Sequence, residues 1–200
     1  MPAEDLIILS DHHARQYSLV EEAGIFDDAL EQQILEALFK LPAILTSDDK
    51  PRPEVMSRSL AIRLVSLLLP KRADAVMVVG IEDGFTIALL EALSVRVFVA
   101  EEDGFKAQKV RRLLDQHQFT KAITVVTTVD KGLPEYAPYD GILLHGLPKR
   151  VPHEIVNQLS NNNGRLVSLV GDEFTQQVTL HTKLSGELKR TKFEIVQGYI

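Results

Sequence analysis

The sequence predicts an α/β fold, a seven-stranded and mostly parallel sheet flanked by helices, with an antiparallel hairpin on one edge and a helical segment ahead of it. Three features of the pattern lead there. From Ala75 onward, short β-branched apolar runs alternate with helical patterns, as strands buried on both faces do when helices connect them. Residues 175–184 and 188–196 instead alternate polar and apolar side chains around Ser185, Gly186 and Glu187, the pattern of an antiparallel hairpin. The first 70 residues carry apolar spacings of three and four, so they read as mostly helical.

The first clear helix spans residues 27–39. Asp27 or Asp28 can cap it, and Leu30, Ile34 and Leu38, with Leu35 and Phe39, share one side. Pro42 ends it, and residues 46–53, polar and proline-bearing, read as an exposed connector. A second helix is expected to start near Pro53 or Glu54 and to run through Val55, Met56, Leu60, Leu64 and Leu67 to a stop at Pro70. Expected strands are 75–79, 95–99, 123–126, 141–144 and 166–170, with helices over 86–93, 106–117 and 151–159. Asn161, Asn162, Asn163 and Gly164 read as a helix-ending turn in which Gly164 takes a left-handed conformation. The division is a helical segment and connector over 1–53 and an α/β domain over 54–200, forming one structural unit.

With 200 residues and 45% hydrophobic content, the chain has enough apolar surface for a full core. It has no cysteine, which excludes disulfides, thiolate nucleophiles and zinc–thiolate sites. A net charge of −6 argues against a nucleic-acid partner, and the one basic cluster, Lys106, Lys109, Arg111 and Arg112, reads as a solvated helix face. The apolar run 64–69 is far shorter than the roughly 20 residues of a membrane span. The N-terminus carries acids where a secretory signal carries Lys or Arg, so a cytoplasmic protein without membrane contact is expected. Asp11, His12 and His13 could approach a divalent metal, but spacing supplies no third ligand and no metal is expected. His153 and His181 read as structural. Neither a phosphate-binding P-loop nor an HExxH motif is present.

The stretch VVGIEDGF, Val78 to Phe85, joins the first strand to its helix with a glycine near each end. In open α/β sheets ligands lie outside the carboxyl ends of the strands, so this loop is the first place to look. Gly80 permits a sharp bend, and Gly84 lets the helix start close to the sheet with backbone N–H groups facing a ligand. Glu101 ends the second strand 21 residues after Gly80, where an acid that binds ribose hydroxyls is expected. Each feature alone equally fits a bare turn and a solvated acid. His145 ends the fourth strand at the same edge, where neighbours such as Asp140 could tune its titration.

The stretches FDDALEQQILEALFKLPAIL, VMSRSLAIRLVSLLLP, VMVVGIEDGFTIALLEAL, VFVAEEDGFKA, GLPEYAPYDGILLHG and NQLSNNNGRLVSLVG occur in this order. From about residue 14 to the C-terminus the chain resembles the protein-L-isoaspartate O-methyltransferase family, especially its divergent bacterial members. The resemblance implies a Rossmann-like methyltransferase sheet and S-adenosylmethionine as cofactor. It implies methyl transfer to a protein or peptide carboxylate, which would attack the sulfonium methyl directly. Carried over by position, it implies Gly80, Ile81, Glu82, Gly84, Glu101, Glu102 and Thr128 as cofactor-binding, and Ser57, Ser59 and His145 as catalytic candidates.

Several positions depart from the family pattern. Val78 stands where an acid is usual, and Glu82 at the middle glycine of the turn. Thr127 or Thr128, with Asp130 nearby, takes the place of the acid expected after the third strand. Met56 and Arg58 replace the hydroxyl residue and proline of the active-site segment, flanked by Ser57 and Ser59. A charge at about 4 Å matters by roughly 1–4 kcal/mol at effective dielectrics of 80 to 20. Glu82 could attract the cofactor's ammonium, or repel its carboxylate and block the turn; the need for bare backbone at this glycine favours the second. The departures leave a second function open, a binding or regulatory protein that kept the scaffold without the cofactor. A dinucleotide site fits less well, because the middle glycine needed beside a pyrophosphate is missing.

Overall fold

The computed structural model describes residues 3–46, 56–145, 150–172 and 174–197. Its elements are α1 (Ala3–Ala23), α2 (Asp28–Leu38), α3 (Ala43–Thr46), α4 (Arg58–Leu68), β1 (Ala75–Val79), α5 (Phe85–Ala92), β2 (Arg96–Glu101) and α6 (Gly104–Gln116). They continue with β3 (Ile123–Val126), β4 (Gly141–Leu144), α7 (His153–Asn157), β5 (Asn162–Gly171), β6 (Thr175–Leu184) and β7 (Glu187–Gln197). One sheet has the order β3-β2-β1-β4-β5-β6-β7. The first five strands pair in parallel, and β6 and β7 are antiparallel additions. This is the expected mostly parallel, Rossmann-like sheet with an antiparallel edge hairpin and helices at the N-terminus.

Burial explains the parallel part. Every residue of β1 and β4 is buried, so their side chains alternate between two apolar layers. Val76 and Val78 pack on one face with Leu64, Leu89 and the α2 residues Ile34 and Leu38. Met77 and Val79 pack on the other with Ile142, Tyr139 and Ile155. Each such aliphatic side chain is worth about 1.5–3 kcal/mol when fully buried. Strand order reverses between β1 and β4, so the chain leaving β1 and the chain leaving β4 diverge above the same edge.

Caps set the helix starts. Asp27 accepts from Leu30 N–H at 2.8 Å and begins α2 as expected. Ser57 accepts from Leu60 N–H at 3.2 Å, so α4 starts at Arg58, and Met56 is buried but non-helical. The expected start at Pro53 or Glu54 and the connector 47–53 lie outside the described residues. Pro70 stops α4 as expected, after Leu69 takes a left-handed φ of 49°. The 21-residue α1 is a gain over the sequence reading; Leu19 and Val20 join the core, and buried Gln16 donates to the Leu38 carbonyl at 2.8 Å. Among the described residues no helix is long and apolar enough to cross a membrane.

Two expectations need correction. The helix expected over 151–159 is only His153–Asn157: Pro152 sits at its N-cap, and Leu159 already bridges Tyr139. In the Asn161–Gly164 run the left-handed residue is Asn163 (φ 62°), inside β5 where the register with β6 shifts. Gly164 is required for space instead: a Cβ there would lie 2.5 Å from the Ser160 carbonyl oxygen. The hairpin turn is Ser185–Gly186, both with positive φ, which matches the twist of β6 and β7. The edge strand β7 exposes Lys189, Arg190 and Lys192.

Gly164→Ala is expected to destabilise the fold by roughly 1–3 kcal/mol, read from denaturant midpoints, because the added methyl has no room beside Ser160. His181, buried on β6, has its pKa lowered by burial and by the Arg190 charge. The unfolded imidazole then takes up a proton at higher pH than the folded one. Above the ordinary histidine range the residue leaves stability unchanged; as pH falls below about 6.5 the fold loses stability, until the folded imidazole also titrates. Denaturant midpoints at pH 7 and pH 5 should show this loss, and His181→Leu should make it smaller.

Candidate functional site

The chain leaving β1 turns at once. Gly80 has φ +80°, and a Cβ there would stand 3.4 Å from the His145 Cβ, so the bend and the approach of β4 both suit glycine. Gly84 has φ +94° and caps α5; a Cβ there would lie 3.0 Å from Val110, so its bareness lets α5 and α6 pack. Between them, Ile81 N–H donates to Glu101 Oε2 at 2.6 Å. Asp103 N–H donates to Glu101 Oε1 at 2.9 Å. The Glu101 carboxylate is thus buried and ties the loop after β1 to the loop after β2.

Glu82 points inward. Its Oε2 accepts from Met56 N–H at 3.0 Å, and its Oε1 lies 3.3 Å from His145 Nδ1. The side chains of His145 and Glu82 are only 4% and 14% exposed. The His145 contact is within ion-pair distance, but its angles miss hydrogen-bond alignment, and neither atom has another hydrogen-bond partner. Asp83 forms a mostly buried ion pair with Arg58, Nη2 to Oδ2 at 2.6 Å, and accepts from Phe85 N–H at 3.2 Å. The Arg58 guanidinium also lies over the Phe85 ring, 4.7 Å from its centroid. A cavity of about 10 Å³ remains between Val78, Gly80, Glu82, Thr86, Ile87 and His145, room for roughly one water.

Of the residues singled out from sequence, Gly80, Ile81, Glu82, Gly84, Glu101 and His145 therefore meet at one place. Glu102 and Thr128 are exposed. The Ser57 and Ser59 hydroxyls lie 3.3 Å from each other, with Ser57 also serving as helix cap. Asp140 is not a neighbour of His145: it accepts from Ala75 N–H at 2.9 Å, at the opposite ends of β1 and β4. The carboxylate beside His145 is Glu82. Among the described residues no group of three His, Cys, Asp or Glu is placed to hold a metal. The Arg58–Asp83 pair and the Met56 N–H were not legible. A backbone donor leaves no mark in a sequence, and the two charges are 25 residues apart without a shared pattern.

Residues 54–199 match the model of a family described as protein-L-isoaspartate(D-aspartate) O-methyltransferase. The chain belongs to that family. A protein-L-isoaspartate O-methyltransferase of Syntrophobacter fumaroxidans is 27% identical over 179 residues, 78% of this chain and 83% of that protein. One from Chromobacterium violaceum is 28% identical over 206 residues, 95% of this chain and 90% of that protein. A solved structure described as a protein-L-isoaspartate O-methyltransferase from Plasmodium falciparum in complex with S-adenosyl-L-homocysteine superposes with a TM-score of 0.74. It covers 92% of this chain and 95% of that one at 13% identity. That likeness shows the class I methyltransferase fold.

At the turn after Gly80 the present geometry leaves little room for a ligand the size of S-adenosylmethionine. The Glu82 side chain occupies the turn and accepts from Met56 N–H, while each oxygen of Glu101 accepts one backbone N–H and keeps a further lone pair. Pockets that take ligands of this size are commonly 300–1,000 Å³, far above the cavity at this loop. Glu101→Ala would leave the Ile81 and Asp103 donors unpaired, and a loss of roughly 2–5 kcal/mol in unfolding free energy is expected by denaturant titration.

Proposed function

We propose that this member of the family is a protein-binding or regulatory protein that keeps the methyltransferase scaffold and has lost methyl transfer. The observation carrying this reading is the inward Glu82 carboxylate, held by Met56 N–H at 3.0 Å within the turn where the family has bare glycine. Glycine there would let a ligand approach the backbone; a glutamate brings a Cβ, two further methylene and carboxyl carbons, and a charge. The replaced hydroxyl and proline at Met56 and Arg58 support the same reading, since methyl transfer depends on positioned groups and excluded water. The partner is taken to be a protein or peptide, as the family's activity on proteins implies, and the chain's net charge of −6 disfavours nucleic acid.

A second reading, retained transfer of a methyl group from S-adenosylmethionine to a protein carboxylate, is favoured by one observation. Gly80 and Gly84 keep positive φ, and Glu101 stands at the end of β2, so the backbone frame of such a turn persists. Under that reading Glu82 would have to leave the turn.

Calorimetric titration with S-adenosylmethionine and S-adenosyl-L-homocysteine separates the two. No heat is expected from the wild type at millimolar ligand, while Glu82→Gly should gain affinity by tenfold or more. Micromolar binding by the wild type, together with methylation of an isoaspartyl peptide, would establish the second reading instead.

A further inference from the structure

Glu82 does more than fill space, because the groups around its carboxylate form a receptor. Met56 N–H, just ahead of α4, faces one oxygen at 3.0 Å; His145 Nδ1, on a side chain only 4% exposed, faces the other at 3.3 Å. The two come from chain segments 89 positions apart, after β4 and before α4, and the Glu82 carboxylate bridges them. His145 is itself fixed, since its backbone N–H donates to the Val79 carbonyl at 2.8 Å and its Cβ stands against Gly80. A buried imidazole nitrogen with no other partner, aimed into a space that also receives a backbone N–H, is an arrangement that recognises a two-oxygen acceptor. We propose that Met56 N–H and His145 form a carboxylate-binding seat, and that the chain occupies it with its own Glu82.

The seat's ligand class is the carboxylate group of a small molecule. One donor faces each of two oxygens, a match for a planar carboxylate rather than for a tetrahedral phosphate or sulfate. A cation is excluded by the donors: an amide N–H cannot ligate it. The nearby Arg58 guanidinium meets Asp83 and the Phe85 ring. The alternative is that Glu82 is only a local staple whose neighbours have no affinity of their own. The proposal shares the placement of Glu82 with the proposed loss of cofactor, but its test contains no cofactor, so the two can fail separately.

The test is chemical rescue of Glu82→Ala, with sodium acetate as the probe and stability as the readout. The truncation vacates the seat, and acetate should then stabilise the variant saturably. At ten times its dissociation constant the folded-to-unfolded ratio should rise about elevenfold, measured against sodium chloride of equal ionic strength. Acetamide, similar in shape but neutral, should give no such rise. The wild type should not respond, because Glu82 fills the seat. Glu82→Gln should not respond either, because its amide oxygen still accepts from Met56 N–H and its bulk remains. Adding His145→Leu to Glu82→Ala should remove the acetate effect. A folded Glu82→Ala that responds equally to acetate, acetamide and chloride overturns the proposal, as does an acetate response that survives His145→Leu. If Glu82→Ala fails to fold in chloride, refolding in acetate but not in acetamide supports the seat, and refolding in both or in neither overturns it.

Discussion

Loops that leave a buried parallel sheet carry backbone N–H groups through a region with little water, and each needs an acceptor. In this protein carboxylates supply it. Glu101 accepts from Ile81 and Asp103, Glu82 from Met56, Glu91 from Lys121 and Ala122, and Asp140 from Ala75. Each of these acids joins stretches that the sheet brings together at its ends. The conformation of the loop after β1 follows from two of them, one pulling it toward β2 and the other toward the start of α4.

Such acids are costly to desolvate, and only good hydrogen bonds offset the cost. Glu101 is buried and held by two short backbone bonds. Asp83 instead meets Arg58, whose guanidinium also rests on Phe85. Glu82 is the least satisfied of the group, with one aligned bond and one misaligned contact to His145.

Most of the architecture was legible, and for a definable reason. Strands β1, β3, β4 and β6 fall where apolar runs or alternation placed them, since burial on both faces, or on one, imprints directly on residue type. Boundaries drifted where a side chain's bond, rather than its polarity, decides. Ser57 delays α4, Asp103 accepts from Phe105 and Lys106 N–H and starts α6 early, and Asn163 takes the left-handed turn that Gly164 was expected to take. Helix α1 escaped because its apolar residues are interrupted by Asp11, His12, His13 and Arg15, which dilute the periodicity. At the site, Gly80, Glu82, Gly84 and Glu101 were visible as a pattern, and the tension between a glycine-framed turn and an acid inside it was visible too. What the acid does there depends on a main-chain donor 26 positions away and on a histidine from another strand, which only the folded chain brings together.

The far edge of the sheet bears on how molecules of this protein meet. An open outermost strand is a template on which another chain can extend the ladder. Two copies joining β7 to β7 about a twofold axis must set some residue opposite its own counterpart, with facing side chains on the same side of the ribbon. Centring on Thr191 would set Arg190 against Lys192; centring on Arg190 or on Lys192 would set each cation against itself. These three alignments begin with repulsion between guanidinium or ammonium groups, whereas centring on Phe193 would set Lys192 against Glu194.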